Sequence, residues 1–250
     1  MQDERKVFDI IPEQFEKWRP RYSQELFDFI ADTVKLDSSK KCLEIGPGTG
    51  QASDFAVKTG CDYTAIELGE NLTEFMQRKF GNYPNFKILN ADFEKYEFKK
   101  SYYDLLYSAA AIQWIDQDIA YKKCFDMLKS GGYLAMFLTR EDREYYNPEL
   151  YAEIRKVYDT LFVSDMPYTR HFDYNRARYY GFSYEEKFEY YSVRTFNADD
   201  YVQYISTHSD HITLNAAYRD KFLQGIHDAV VKYGNIIRLR DTHVLYLCRK

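Results

Sequence analysis

The chain lacks paired cysteines. Cys42, Cys61, Cys124 and Cys248 lie far apart, with no Cys-x-x-Cys and no His-x-x-x-His to accompany them. That argues against a zinc site and a disulfide framework, so the expectation is free thiols in a reducing cytoplasm and no metal. Long apolar runs are also missing. No segment approaches the roughly 20 apolar residues of a spanning helix, and the start, Met1-Gln-Asp-Glu-Arg-Lys6, has no apolar stretch of the signal-peptide kind. A basic excess is absent too: 34 Lys and Arg stand against 39 Asp and Glu, a net charge of −5 with a pI near 5.6. A dedicated nucleic-acid binder would show the opposite balance, although a local basic groove is compatible with these totals. Without internal repeats or low-complexity linkers, the 250 residues read as one compact unit.

What is present is concentrated in Lys41-Cys-Leu-Glu-Ile-Gly-Pro-Gly-Thr-Gly50. This is a short apolar strand running into a glycine-rich turn, with a helix pattern expected from Gln51 to Lys58. Glycines at 46, 48 and 50 let the backbone bend and approach a ligand closely. A strand-turn-helix of this kind is a common seat for a nucleotide-like cofactor. The dinucleotide fingerprint wants its third glycine one position later, where this chain has Gln51. Glu44 stands two residues before the first glycine. The resulting Glu-x-Gly-x-Gly-x-Gly resembles the first motif of class I S-adenosylmethionine-dependent methyltransferases.

The residues that follow keep step. Cys61–Glu67 reads as a second strand ending in an acid, able to accept both ribose hydroxyls of an adenosine. A helix pattern over Glu70–Phe80 leads to a strand at Phe86–Asn90 and then Ala91-Asp92-Phe93. The resemblance implies that Asp92 binds the adenine amino group and that Phe93 packs on its ring. Leu68 and Ser108 join the cofactor set by the same resemblance. Tyr103–Ser108 reads as the fourth strand, and Gly131–Leu138 as the fifth. Alternating strands and helices imply a doubly wound, mostly parallel α/β sheet, expected here with seven strands. The resemblance adds a helical cap after the fifth strand. The divisions are 1–36 for an N-terminal helical segment over the cofactor, 37–139 for the cofactor-binding core, 140–185 for the cap and 186–250 for completion of the sheet.

The segment Phe15-Glu-Lys-Trp-Arg19-Pro20-Arg-Tyr22 is similar to the N-terminal segment of small-molecule enzymes of the trans-aconitate methyltransferase family. By that likeness Arg19 holds the methionine carboxylate and Tyr22 lines the methyl end; Phe15 departs from the family's Tyr, and Ser23 from its Pro. Two readings stand for the tyrosine- and arginine-rich stretch 139–191: Arg170, Arg176 and Arg178 clamp a carboxylate substrate, or they are solvated. One helix is legible there, from Pro148 to about Phe162. His208 and His211 are candidates for a substrate contact or base, or ordinary structural histidines. Gln113 and Trp114 match the small-molecule version of the family, and no Asn/Asp-Pro-Pro-Tyr-like tetrad is present. Trp114 either walls the methyl or anchors a helix.

The implied reaction is in-line displacement at a sulfonium methyl, which explains why no catalytic triad or metal cluster is needed. The expected cofactor is S-adenosyl-L-methionine. The expected partner is a small-molecule acceptor, with a carboxylate oxygen as first choice, and neither a nucleic acid nor a membrane. The protein is expected as a monomer or homodimer. A nicotinamide-dependent oxidoreductase and a non-catalytic adenosylmethionine-binding interaction protein remain the rival classes.

Overall fold

The computed structural model describes residues 3–164 and 171–250. Helices α1 (Pro12–Trp18) and α2 (Gln24–Val34) come first. Pro12 sits at the first helical position, where its missing N–H costs nothing. In α2 the buried residues are Leu26, Phe27, Ile30 and Val34, one face at helical spacing, and Lys35 ends the helix in the left-handed conformation. Then follow β1 (Lys41–Ile45), α3 (Asp54–Val57), β2 (Asp62–Glu67), α4 (Glu70–Phe80), β3 (Phe86–Asn90), β4 (Tyr103–Ala109), α5 (Gln117–Met127) and β5 (Leu128–Asp142). The remainder is α6 (Pro148–Leu161), β6 (Tyr184–Phe196), α7 (Ala198–Ile205), α8 (Ser209–Ile212), α9 (Ala216–Lys232) and β7 (Ile237–Arg249).

The seven strands form one sheet in the order β3-β2-β1-β4-β5-β7-β6. The pairs from β3 to β5 are parallel. Strand β7 runs against β5: Gly131 N–H donates to Lys250 O at 2.9 Å, while Thr139 meets His243. Strand β6 in turn runs against β7, with Ser183 beside Arg249 and Arg194 beside Asp241. This is the mostly parallel, doubly wound sheet expected from the sequence.

Alternate residues along the strands feed two apolar layers. Cys42, Tyr107, Ala135, Phe137, Leu245 and Leu247 join one. Leu43, Leu106, Leu134, Met136, Val244 and Tyr246 join the other. Period-two alternation with both sides buried is what a sheet covered on both faces requires.

Two expectations need correction. The helix read from Gln51 is confined to Asp54–Val57. Four-residue turns, Gly50 N–H to Pro47 O and Ser53 N–H to Gly50 O, occupy the stretch before it. The fifth strand begins at Leu128 rather than Gly131. It absorbs a bulge, because β4 advances from Tyr103 to Leu105 while β5 advances from Leu128 to Tyr133.

By internal contacts the chain divides into two compact units. The larger comprises Pro20–Thr139, Arg170–Tyr190 and His243–Lys250, and holds both apolar layers. The smaller comprises Met1–Arg19, Arg140–Thr169 and Tyr191–Thr242. Its core joins Leu150 and Ile154 of α6 to Tyr201 and Ile205 of α7 and to Phe222, Ile226 and Val230 of α9.

Candidate functional site

Within the larger unit, the sequence-predicted residues gather at the carboxyl ends of the parallel strands, where α/β sheets of this topology bind ligands. Strand β1 delivers Gly46, whose N–H donates to Ile66 O at 2.9 Å. Gly46 has φ +66°, and a Cβ there would stand 2.5 Å from the Ala111 Cβ, so the loops after β1 and β4 touch with no room for a side chain. Gly50, at φ +84°, packs as tightly against α4: a Cβ would lie 2.5 Å from Phe80 Cε2 and 2.8 Å from Met76 Sδ. Lys79 adds a hydrogen bond from its ammonium to Thr49 O at 3.0 Å.

Glu67, at the tip of β2, reaches this loop. Its Oε2 accepts from Gly48 N–H at 3.1 Å and its Oε1 from Gly69 N–H at 2.9 Å. The carboxylate is thus an ordered acceptor at the edge of the glycine turn. Leu68 beside it is half-buried. Asp92 follows β3, its Oδ1 accepting from Glu94 N–H at 2.9 Å, with the Lys95 ammonium 3.6 Å away. Phe93 turns into the core, 5 % exposed, against Phe98. Lys123 holds that corner from α5, donating to Phe93 O at 2.6 Å.

Two residues assigned to the cofactor, Glu44 and Ser108, are buried. Glu44 is fully buried, and its Oε2 accepts from Ser53 Oγ at 2.6 Å, Tyr107 OH at 2.8 Å and Tyr63 OH. Burial pushes this carboxyl above its ordinary range, and the three hydroxyls and Lys79 pull it back in part. Ser108 is likewise buried and donates to Ile45 O at 2.9 Å. Both fasten the strand ends that carry the glycine turn.

The loop after β4 begins at Ala110, a non-glycine residue at φ +52° whose N–H donates to Phe137 O at 2.7 Å. Trp114 closes the short 3-10 turn Ile112–Trp114. Gln113 fixes the turn, donating to Ala110 O at 2.9 Å and accepting from Tyr174 OH at 3.1 Å. Tyr22 packs edge-on to Phe137 at 4.9 Å and against His243 at 5.6 Å. His243 is buried, with its Nδ1 2.9 Å from Thr139 Oγ1. No short-range signal marks the His243–Thr139 pair, which joins β5 to a strand a hundred residues later.

The smaller unit carries a second polar assembly, which sequence reasoning missed apart from its histidines. Arg194 on β6 pairs with Asp241 on β7, and its Nη2 also lies 2.9 Å from Glu141 Oε1 and 3.2 Å from Tyr204 OH. Arg143 donates to Glu141 Oε2 at 3.0 Å. Burial would raise the Glu141 carboxyl, but Arg143 and Arg194 outweigh it and hold it below its ordinary value. His211 is clamped between Asp210 at its Nδ1, 2.7 Å, and Tyr158 OH at its Nε2, 2.8 Å. His208 lies edge-on to Tyr204 and to His211. Burial, followed by the charges of Arg19, His211, Arg143 and Arg194, pushes the His208 imidazole well below its ordinary value.

His208, Asp210 and His211 bring ligand-type atoms within 4.8 Å of one another. Both nitrogens of His211 are committed to protein partners, and the surrounding guanidiniums repel a cation. Arg19 stands over the Phe15 ring at 5.5 Å. Of the three arginines read as a clamp or as solvated residues, Arg176 and Arg178 are exposed, Arg176 lying on the Tyr179 ring, and Arg170 lies outside the described residues.

Residues 43–136 match the family described as a methyltransferase domain. The chain is 36 % identical over 77 residues to the ribosomal RNA small subunit methyltransferase A of Hahella chejuensis, covering 31 % of this chain and 28 % of that protein. It is 30 % identical over 140 residues to malonyl-[acyl-carrier protein] O-methyltransferase 1 of Ilyobacter polytropus, covering 53 % and 49 %. Its matches thus span half or less of the length of these relatives. Among solved structures, a candidate type II methyltransferase from Anaeromyxobacter dehalogenans superposes with a TM-score of 0.65 at 20 % identity, over 93 % of this chain and 98 % of the other. That likeness concerns the fold. No helix among the described residues is long and apolar enough to cross a membrane.

Proposed function

We propose that this chain, whose residues 43–136 match the family described as a methyltransferase domain, is a class I S-adenosylmethionine-dependent enzyme that transfers a methyl group to a small-molecule acceptor. The carboxylate of Glu67 at the lip of the glycine turn carries this reading. It is a bidentate acceptor fixed beside backbone N–H groups, the donor and acceptor set that a ribose diol and its flanking chain need. Gly46, Gly48 and Gly50 form the turn over which the nucleoside lies, Leu68 and Asp92 contact the adenine end, and Phe93, buried against Phe98, supports the Asp92 turn from the core. Glu44 and Ser108 act from behind by keeping the turn in shape. Arg19 is assigned to the amino-acid carboxylate of the cofactor.

When bound, the cofactor supplies a methyl group on a positively charged sulfur, an excellent leaving group. The chain's own work is alignment and exclusion of water. Trp114 stands on the loop after β4, whose Ala111 meets Gly46 of the turn, and Trp114 and Tyr22 are assigned to the wall of the acceptor site. The acceptor we favour is a carboxylate, which is ionised already and requires no general base. Relatedness to an O-methyltransferase and the resemblance of residues 15–22 to the trans-aconitate enzymes support that choice. The net charge of −5 argues against ribosomal RNA, the substrate named for the Hahella relative. His208 remains the candidate for a contact to the acceptor.

Calorimetric titration with S-adenosylmethionine, S-adenosylhomocysteine and NADH tests the proposal. Micromolar binding of the adenosyl ligands alone is expected, followed by methyl transfer to a member of a panel of small carboxylic acids. Binding of NADH alone would overturn it.

A further inference from the structure

We infer that Asn90 is the positioning residue that sets the ribose selectivity of this site, an inference that rests on the adenosyl reading of Glu67. Asn90 ends β3, and its Nδ2 lies 3.1 Å from Glu67 O, 3.3 Å from Leu68 O, 3.2 Å from Gly69 O and 3.2 Å from Thr73 Oγ1. Three successive carbonyls are therefore turned to one point. Carbonyls only accept, so the atom that faces them has to be the amide nitrogen. With its carbonyl directed at Asn90, the Glu67–Gly69 turn leaves Gly69 N–H directed at Glu67 Oε1, 2.9 Å away. One neutral side chain thus fixes both the backbone that carries the acid and the hydrogen bond that orients its carboxylate. No other residue type of that size offers two protons on one atom without a charge.

The opposite end of β2 provides an internal control. Asn85 Nδ2 donates to Val57 O at 2.9 Å and Cys61 O at 2.8 Å, tying down the start of the strand. The two asparagines do the same structural job at the two ends of β2, yet only Asn90 grips the backbone of Glu67 and Gly69, whose N–H holds the carboxylate.

The test measures affinity for S-adenosylhomocysteine and for its 2′,3′-dideoxy counterpart, which lacks the diol, in the wild type and in Asn90→Ala and Asn85→Ala. Asn90→Ala is expected to weaken the diol ligand about tenfold, the scale of one charge-assisted hydrogen bond, and to change the dideoxy ligand less than about twofold. Asn85→Ala is expected to lower the melting temperature while keeping the wild-type ratio of the two affinities. Should Asn90→Ala fail to fold, Asn90→Asp replaces it, having the same shape without the donor, and the same loss of selectivity is expected. An unchanged ratio in the Asn90 variant, or an equal fall for both ligands, overturns the inference. A wild type that binds both ligands equally overturns the role of Glu67 on which the inference stands.

Discussion

The Glu67 carboxylate and the backbone N–H of Gly48 are 3.1 Å apart, so the tip of the second strand is hydrogen-bonded to the middle of the glycine turn before any ligand arrives. Removing the charge while keeping the shape isolates that link. In Glu67→Gln, binding of S-adenosylhomocysteine is expected to weaken by about 1.5–3 kcal/mol, the range for a hydrogen bond to a charged group. Calorimetry reads this, and unchanged affinity would remove Glu67 from the site.

Gly50→Ala tests the turn itself. The residue is left-handed, and its Cβ would meet Phe80 and Met76 below 3 Å. A penalty of about 1–3 kcal/mol is expected from the backbone conformation alone, with the steric conflict added. A thermal melt should show a clearly lower midpoint, and cofactor affinity should fall with it. A melt like that of the wild type would mean that α4 yields easily at this contact.

The Arg194–Asp241 pair belongs to the smaller unit and predicts a stability effect there. Asp241 is fully buried and the Arg194 side chain is 17 % exposed. Breaking such a pair from one side costs about 3–5 kcal/mol, because a buried charge is left uncompensated. Arg194→Met should therefore cost more than Arg194→Met combined with Asp241→Leu. Denaturant titration of the wild type and the two variants gives the order, and a larger loss in the double variant than in Arg194→Met would contradict it.

The pH dependence of stability should carry the mark of His208. Its imidazole resists protonation in the folded protein but not in the unfolded chain. Below about pH 6.5, the ordinary histidine value, the unfolded state binds the extra proton and stability falls as pH drops. His208→Gln is expected to flatten the decline between about pH 7 and 5. Parallel curves for variant and wild type would show that His208 titrates freely.

The parts of this fold legible in the sequence are those written in local pattern. The β1 strand with its glycines, the acid ending β2, Asp92 after β3 and the helices over 70–80 and 148–161 depend on neighbours in the chain. What was not legible depends on partners far away. Nothing in residues 41–50 says that Glu44 will meet Tyr63 and Tyr107, because period-two alternation reveals which face a residue takes and not who waits there. The same holds for Asn90, an unremarkable strand end until β2 lies beside it, and for Arg194, whose partners come from two other strands. The short α3 is not visible in the sequence because a glycine-rich turn can continue as four-residue turns without changing the apolar spacing.

The contact between Gly46 and Ala111 has an evolutionary consequence. With 2.5 Å between the methyl of one and the missing methyl of the other, the two positions share one allotment of volume. A change at either is conditional on the state of the other, so they should drift as a single heritable unit. A lineage that enlarges residue 111 to reshape the loop bearing Trp114 must first find another path for the glycine turn, which makes the loop after β4 slow to diversify near its start and freer beyond it.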